Sequence, residues 1–117
     1  MADLVDCASE PGLLSDAVKL ENFSKISVLQ SGLTVIGSQF HQFQPSGCTG
    51  FVLLAESHLA LHTWPEHRFV ALDLYVCNHL TDNTEKAQLL FDLLLDAFKP
   101  SQILRKHVQR ARVTHGP

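Results

Sequence analysis

The chain has 117 residues, with nine Lys and Arg against twelve Asp and Glu, a formal charge of −3 and 45% hydrophobic residues. A chain of this length fits a single domain, and its high apolar content and small net charge exclude a disordered tail protein. A mildly acidic chain also lacks the broad basic face that a nucleic-acid binder needs to neutralise phosphates, so we expect no nucleic-acid partner.

The sequence also argues against a membrane or secreted protein. Its longest apolar runs, such as residues 51–55, are far shorter than the ~20 residues of a membrane-spanning helix. The first six residues carry two Asp and neither Lys nor Arg, which is not the pattern of a signal peptide. Three cysteines (Cys7, Cys48 and Cys77) form no CxxC pair, and an odd count favours free thiols over a disulfide framework or a zinc ribbon. We therefore expect a cytoplasmic protein.

The first half of the chain predicts one helix followed by strands. Apolar residues spread over 13–30 predict a helix that ends at Ser31 and Gly32. Period-two alternation then predicts strands at 33–43, 50–55, 59–63 and 69–77, with turns at 45–47 and 64–66. In the strand at 69–77, alternation places Asp73, Tyr75 and Cys77 on one face and Val70 and Leu72 on the other.

The second half predicts a helix and a last strand. A cap at Asn83 or Thr84 and apolar residues at helical spacing predict a helix over 85–99, which Pro100 ends. Residues 101–112 predict a strand whose exposed side is basic, with Arg105, Lys106, Arg110 and Arg112 on it.

The order of elements is roughly β-α-β-β-β-α-β. Strands clustered between two helices predict an α/β (α+β) fold, in the form of a two-layer sandwich with an antiparallel-rich sheet and helices packed on one face. The sequence contains neither a repeat nor a low-complexity linker, so residues 1–117 are expected to form one domain.

Potentially reactive side chains are concentrated in residues 56–67, Glu-Ser-His-Leu-Ala-Leu-His-Thr-Trp-Pro-Glu-His, with Cys77 ten residues further on. Strand alternation places Ser57 with Leu59 on one face, and His58 with His62 on the other, unless the chain bends at Ser57.

Three interpretations of this segment remain open on residue types alone. A serine hydrolase is one, although Ser57 lies outside a Gly-x-Ser-x-Gly elbow and no particular Asp stands out as the group that orients a histidine. A metal site is the second, with a candidate ligand set of His58, His62, Glu66, His67 and Cys77 but without an HExxH motif. The third is structural: half-buried strand side chains that pair with backbone groups.

Residues 56–66, Glu-Ser-His-Leu-Ala-Leu-His-Thr-Trp-Pro-Glu, resemble the self-cleavage segment of the small prokaryotic S-adenosylmethionine decarboxylases, which are pyruvoyl enzymes. The similarity extends upstream through residues 31–43 and 45–50, downstream through 69–77, and to the Asp6-Cys7 pair. It covers most of residues 2–80, and a block of eleven residues is much more specific than the spacing of single catalytic residues.

The resemblance implies that the chain makes its own cofactor. The Ser57 hydroxyl would attack the carbonyl of Glu56, and β-elimination would then leave a pyruvoyl group at position 57. This cleavage would divide the protein into a β chain of residues 1–56 and an α chain of residues 57–117. The ketone of the pyruvoyl group would form a Schiff base with the substrate amine and act as the electron sink for decarboxylation.

The resemblance also assigns a role to five further residues. His62 would move a proton during processing, supported by Thr49, which stands where the family usually has a serine. Cys77 would be the general acid that protonates the substrate after carbon dioxide leaves. Phe43 would stack on the adenine, and Glu66 would hold the ribose hydroxyls.

The resemblance therefore implies a decarboxylase of S-adenosylmethionine that supplies the aminopropyl donor for spermidine synthesis. It further implies a homodimer of cleaved protomers, with the pyruvoyl group as cofactor and no metal. Two alternatives remain: the same chemistry on L-arginine or L-ornithine, or a processing-dead homologue that regulates an active partner. Thr49 motivates the second alternative, together with the missing opening of the family's first strand.

Overall fold

The structure, a computed structural model, describes residues 1–77 and 82–106. Within them the chain forms β1 (Ala2–Val5), α1 (Ala17–Ser31), β2 (Val35–Gln42), β3 (Cys48–Leu54), β4 (Ser57–Trp64), β5 (Phe69–Val76), α2 (Thr84–Phe98) and β6 (Gln102–Arg105). A single 3-10 turn, Pro65–His67, joins β4 to β5. None of the helices in this described part is long and apolar enough to span a bilayer.

The strands form one sheet in the order β2-β3-β4-β5-β1-β6, and each neighbouring pair is antiparallel. Helix α1 packs on β2 and β3, α2 packs on β5, and the two helices contact each other. The predicted two-layer sandwich, with helices on one face of an antiparallel sheet, is confirmed.

The alternation of the strands separates a core face from an open face of the sheet. Val52, Leu59 and Val70 point towards the helices and are fully buried. Strand neighbours on the other face are exposed beside Val52, where Phe51 and Leu53 are 43% and 44% accessible, and half-buried beside Leu59 and Val70. The prediction that Val70 and Leu72 share one face of β5 is confirmed, since both are buried against the core.

Helix α1 begins later than its apolar pattern predicts. The Oδ1 of Asp16 accepts the N–H groups of Val18 and Lys19 at 3.0 and 3.3 Å, which caps the first turn. Residues 13–15 are therefore a turn rather than helix. The predicted end is confirmed, because Gly32 adopts a φ of 92°, which residues with a Cβ rarely tolerate.

The predicted order of elements is wrong by one strand. Four strands lie between the helices, as the patterns at 33–43, 50–55, 59–63 and 69–77 predict, whereas the order β-α-β-β-β-α-β counts only three. A turn at Ala55 and Glu56 separates β3 from β4. The last strand is shorter than predicted and ends at Arg105, which is exposed like Lys106 and stacks over the ring of Phe91 at 4.2 Å. The remainder of that predicted strand, with Arg110 and Arg112, lies outside the described residues.

Candidate active site

The tip of the β3–β4 hairpin is the best-anchored part of the candidate site. Leu54 pairs with Ser57 across a two-residue turn of Ala55 and Glu56. The carboxylate of Glu56 accepts the N–H and the hydroxyl of Thr34, at 3.0 and 3.2 Å. The N–H of Ala55 in turn donates to the Thr34 carbonyl at 3.1 Å. These bonds fix the Glu56–Ser57 peptide against the segment that precedes β2.

The Glu56 carbonyl is held by a backbone donor from the residue that follows β5. Ser57 lies opposite Val76 in the β4–β5 pairing, so the residue after Val76 reaches the hairpin tip. The N–H of Cys77 donates to the Glu56 carbonyl at 2.7 Å. Ser57 itself has a φ of 152°, an unusual conformation for a residue with a side chain. The structure therefore brings together Glu56, Ser57 and Cys77.

Ser57 and His58 lie on the same side of the hairpin tip, although alternation predicts opposite faces. The Oγ of Ser57 is 3.3 Å from Nδ1 of His58, and Nε2 of His58 is 3.5 Å from Oδ2 of Asp73. The bend that the sequence left open occurs at Ser57, whose positive φ interrupts the regular alternation.

Asp73 has no functional role in the predictions from sequence. The sequence indicates only that Asp73 lies on the same face of β5 as Tyr75, and Tyr75 pairs with His58 in the structure. The proximity of Asp73 to His58 can be predicted only once the register of β4 against β5 is known. We call Glu56, Ser57, His58, Asp73 and Cys77 the cleavage-end group.

The three thiols are free and differ in their surroundings. Cys7 and Cys48 are 3% and 1% exposed in the core. Burial, with a smaller contribution from the Asp6 carboxylate, raises the pKa of the Cys7 thiol to about 11. Burial also raises the pKa of the Cys48 thiol. Cys77 is half-buried, and its carbonyl accepts a bond from the buried Asn83 side chain at 3.0 Å.

A second set of predicted residues lies at the other end of β4. Thr49 and His62 face each other across β3 and β4, and Oγ1 of Thr49 contacts Nδ1 of His62. His62 is exposed on the open face. It lies five positions along β4 from Ser57, about 17 Å at ~3.3 Å per residue. The structure therefore does not bring His62 and Thr49 to Ser57 within one chain.

The two predicted substrate-binding residues lie near His62 rather than near Ser57. Phe43 follows β2 and is 46% exposed, with its ring edge-on to His41 at 4.7 Å between centroids. Glu66 lies in the turn after β4, where Ser46 donates to its carboxylate at 2.9 Å. Both residues flank the β2–β3 turn. We call Phe43, Thr49, His62 and Glu66 the distal group.

The metal-site interpretation finds no support in residues 1–77 and 82–106. Within these ranges there is no group of three or more His, Cys, Asp or Glu side chains that could share a metal ion.

Comparison with known proteins gives a consistent result. A family model described as S-adenosylmethionine decarboxylase matches residues 1–111. An S-adenosylmethionine decarboxylase proenzyme of Sulfurihydrogenibium sp. is 40% identical over 105 residues, which cover 90% of this chain and 68% of that protein. A proenzyme of the same name from Persephonella marina is 41% identical over 87 residues, 74% of this chain and 62% of its own length. The chain thus spans about two thirds of these relatives.

A solved structure has the same fold over nearly the whole chain. The crystal structure of the adenosylmethionine decarboxylase from Aquifex aeolicus superposes with a TM-score of 0.82 at 32% sequence identity, covering 99% of this chain and 91% of that one.

Proposed function

Because the chain belongs to the S-adenosylmethionine decarboxylase family, we propose that it is a self-processing, pyruvoyl-dependent decarboxylase of S-adenosylmethionine. The observation that carries the proposal is the Glu56–Ser57 peptide at the hairpin tip, with the N–H of Cys77 bonded to the Glu56 carbonyl at 2.7 Å. Such a peptide, held on an ordered turn with a hydroxyl next to the carbonyl, fits a cleavage site.

Two features of this peptide favour cleavage. When Ser57 Oγ attacks the Glu56 carbonyl carbon, negative charge develops on the carbonyl oxygen, and the Cys77 N–H is already in place to stabilise it. The φ of 152° at Ser57 stores strain of about 1–3 kcal/mol, which can relax once the peptide bond becomes an ester. The pyruvoyl group that then replaces Ser57 would supply the electron sink for decarboxylation.

The position of Cys77 suits a proton donor. It lies beside the residue that would carry the pyruvoyl group, and it is half-buried rather than enclosed in the core. Asn83 anchors its carbonyl at 3.0 Å, which limits the movement of its backbone. We assign Cys77 as the general acid that returns a proton to the substrate.

The distal group suits the nucleoside part of the substrate. The exposed ring of Phe43 can stack on adenine beside the sulfonium charge, and the Glu66 carboxylate can accept hydrogen bonds from ribose hydroxyls. The relatives described above are named for S-adenosylmethionine, and nothing in these comparisons favours arginine or ornithine. We therefore propose S-adenosylmethionine as the substrate and the aminopropyl donor of spermidine synthesis as the product.

The separation of the two groups supports a homodimer. His62 and Thr49 belong to the processing machinery that the family resemblance implies, yet they lie about 17 Å along β4 from Ser57. A second copy placed across the open face of the sheet could bring its own His62 to this Ser57. Thr49 keeps a hydroxyl in contact with His62, which supports competent processing. We also infer a cytoplasmic location, since all three cysteines are free thiols.

The test combines intact mass with release of carbon dioxide. We expect the 13.0 kDa chain to convert into fragments 1–56 and 57–117, the second bearing a pyruvoyl group. The mature protein should release carbon dioxide from S-adenosylmethionine, and not from arginine or ornithine. A Ser57→Ala variant, the control, should remain intact and inactive. A wild-type chain that stays at 13.0 kDa would refute self-processing, and release from arginine or ornithine alone would refute the substrate.

A further inference from the structure

We propose that His58 is the general base that activates Ser57 for self-cleavage, and that Asp73 is the positioning residue that holds His58 in its active form. This inference rests on the proposed self-processing and names residues of its first chemical step. The juxtaposition that carries it is a continuous chain of three side chains in the cleavage-end group, from the Ser57 hydroxyl to the His58 ring to the Asp73 carboxylate.

The two ring nitrogens of His58 face different partners. Nε2 is 3.5 Å from Oδ2 of Asp73, and Nδ1 is 3.3 Å from Oγ of Ser57. A carboxylate can only accept a hydrogen bond, so it favours the tautomer with the proton on Nε2. Nδ1 is then left with a lone pair that points to the Ser57 hydroxyl, which is what removal of that proton requires.

The conformation of Ser57 makes this contact possible. In a regular strand, adjacent side chains point to opposite faces of the sheet, and a serine followed by a histidine would not meet. The positive φ of 152° at Ser57 places its hydroxyl on the side of the His58 ring. His62 cannot take this role within the chain, because it lies about 17 Å further along β4.

The step is a rearrangement that needs no external reactant. The Ser57 Oγ–H bond breaks as Oγ bonds to the carbonyl carbon of Glu56, and the proton passes to Nδ1 of His58. The resulting oxyanion is held by the Cys77 N–H. The bond between that carbon and the nitrogen of Ser57 then breaks, and the nitrogen takes the proton from His58. The product is an ester with a free amine, and His58 is regenerated.

Three titratable groups meet at this point of the sheet. Asp73 and Tyr75 of β5 face His58, the Tyr75 ring with its centroid 6.0 Å from that of His58. The neighbouring strand β3 offers the apolar Leu53 opposite His58. The Asp73 carboxylate is therefore the anion nearest to the imidazole among these neighbours, and it stabilises the imidazolium that forms during the step.

The test follows cleavage from the moment of synthesis. Wild-type chain, the variants His58→Ala, His58→Gln and Asp73→Asn, and the double variant His58→Gln, Asp73→Asn are made by cell-free translation, and the amounts of intact and cleaved chain are measured by mass spectrometry over time. His67→Ala is the matched control, because this exposed histidine lies in the turn at the opposite end of β4. Thermal melting of each intact chain reports whether it is folded.

We expect both His58 variants to cleave about 10²–10⁴-fold more slowly than wild type, the usual contribution of a general base. The uncleaved material should resist hydroxylamine, which splits an ester but not the Glu56–Ser57 amide. Added imidazole should accelerate cleavage of His58→Ala. Asp73→Asn should lower the rate in the wild-type background and leave it unchanged in the His58→Gln background, because Asp73 acts only through the His58 ring.

Other outcomes separate this role of His58 from the proposed function. Wild type that does not cleave contradicts the proposed function itself. If wild type cleaves, and the folded variants His58→Ala and His58→Gln cleave as fast as wild type, only the role of His58 is overturned. A hydroxylamine-sensitive ester in either His58 variant would place His58 after the rearrangement and would also overturn it. If His58→Ala does not fold, the cleavage rates of His58→Gln with and without Asp73→Asn decide the role of His58.

Discussion

The three cysteines differ in their surroundings, and this difference predicts different reactivities. Cys7 and Cys48 are core side chains, 3% and 1% exposed, and burial raises the pKa of both thiols. Cys77 stands at the end of β5, half-buried and next to the hairpin tip. Thiolates, not thiols, react with alkylating agents, so both access and pKa protect the two core cysteines.

We expect brief treatment with iodoacetamide at pH 8 to label Cys77 alone. With a pKa of about 11, the Cys7 thiol is about one part in a thousand ionised at that pH, and its burial slows the reaction further. Peptide mapping of the folded Ser57→Ala chain measures the label at each position. Cys77→Ser should remove the fast label, and unfolding in urea should expose all three thiols. Fast labelling of Cys7 or Cys48 in the folded chain would contradict this assignment.

Most of the cleavage-end group could be found from sequence, but its connections could not. The block at residues 56–66 identifies Ser57, and alternation places Asp73 and Cys77 on one face of β5. Alternation also separates Ser57 from His58 unless the chain bends at Ser57, and the positive φ at Ser57 is that bend. Residue patterns carry no information about such a local conformation, since the surrounding turn and the bond from Cys77 impose it.

At the scale of elements, a close contact between β2 and β3 depends on a glycine. Gly50 lies directly opposite Phe40 in the register of these strands. A Cβ placed on Gly50 would lie 2.3 Å from the Phe40 ring, well inside van der Waals contact. The ring packs against the hydrophobic core, so it has little freedom to move away.

We expect Gly50→Ala to lower the free energy of unfolding by about 1–3 kcal/mol, as overpacking commonly does. Gly37 in β2 provides the control, because a Cβ there has open space around it, and Gly37→Ala should change stability by less than about 0.5 kcal/mol. Urea unfolding of the uncleavable Ser57→Ala chain with each substitution measures the difference. Adding Phe40→Leu to Gly50→Ala should recover part of the loss. Equal stability of the two alanine variants would show that Phe40 can move freely.

Helix α1 shows the limit of predicting a helix from the positions of its apolar residues. Three apolar residues that predict it, Val18, Ile26 and Leu29, are 67%, 54% and 62% exposed, whereas Ser24 and Ser27 are buried. The Ser24 hydroxyl donates a hydrogen bond to the Leu20 carbonyl at 2.7 Å. This bond allows a small polar side chain to be buried in the core. Hydrophobic periodicity cannot detect a helix face that is selected for small size.

At the scale of the whole molecule, the open face of the sheet is notable because it exposes large apolar side chains. Phe51, Leu53 and Trp64 lie on it with 43%, 44% and 42% of their surfaces exposed, and His58 and His62 share the same face. Apolar side chains grouped in this way are typical of a surface that binds another protein. In the homodimer proposed above, a second copy would cover this face, which would also account for the separation of the distal group from Ser57, because symmetric dimers exchange equivalent contacts.

Mixing two inactive variants tests this arrangement directly. Ser57→Ala lacks the nucleophile and His62→Ala lacks the processing histidine, so each alone should remain uncleaved. In a mixed dimer, Ser57 of the His62→Ala chain meets the intact His62 of its partner. Random pairing of equal amounts gives each His62→Ala chain such a partner about half the time. Co-expression should therefore cleave up to about half of the His62→Ala chains, as measured by intact mass.

The control is co-expression of His62→Ala with the double variant Ser57→Ala, His62→Ala. This pair forms the same dimers but contains no intact His62, so we expect no cleavage. If the first mixture also stays uncleaved although the two chains co-purify as a dimer, His62 does not act across the interface. Ser57 and His62, about 17 Å apart along β4, would then have to meet within one chain. This would require β4 to leave its pairing with β3 and β5.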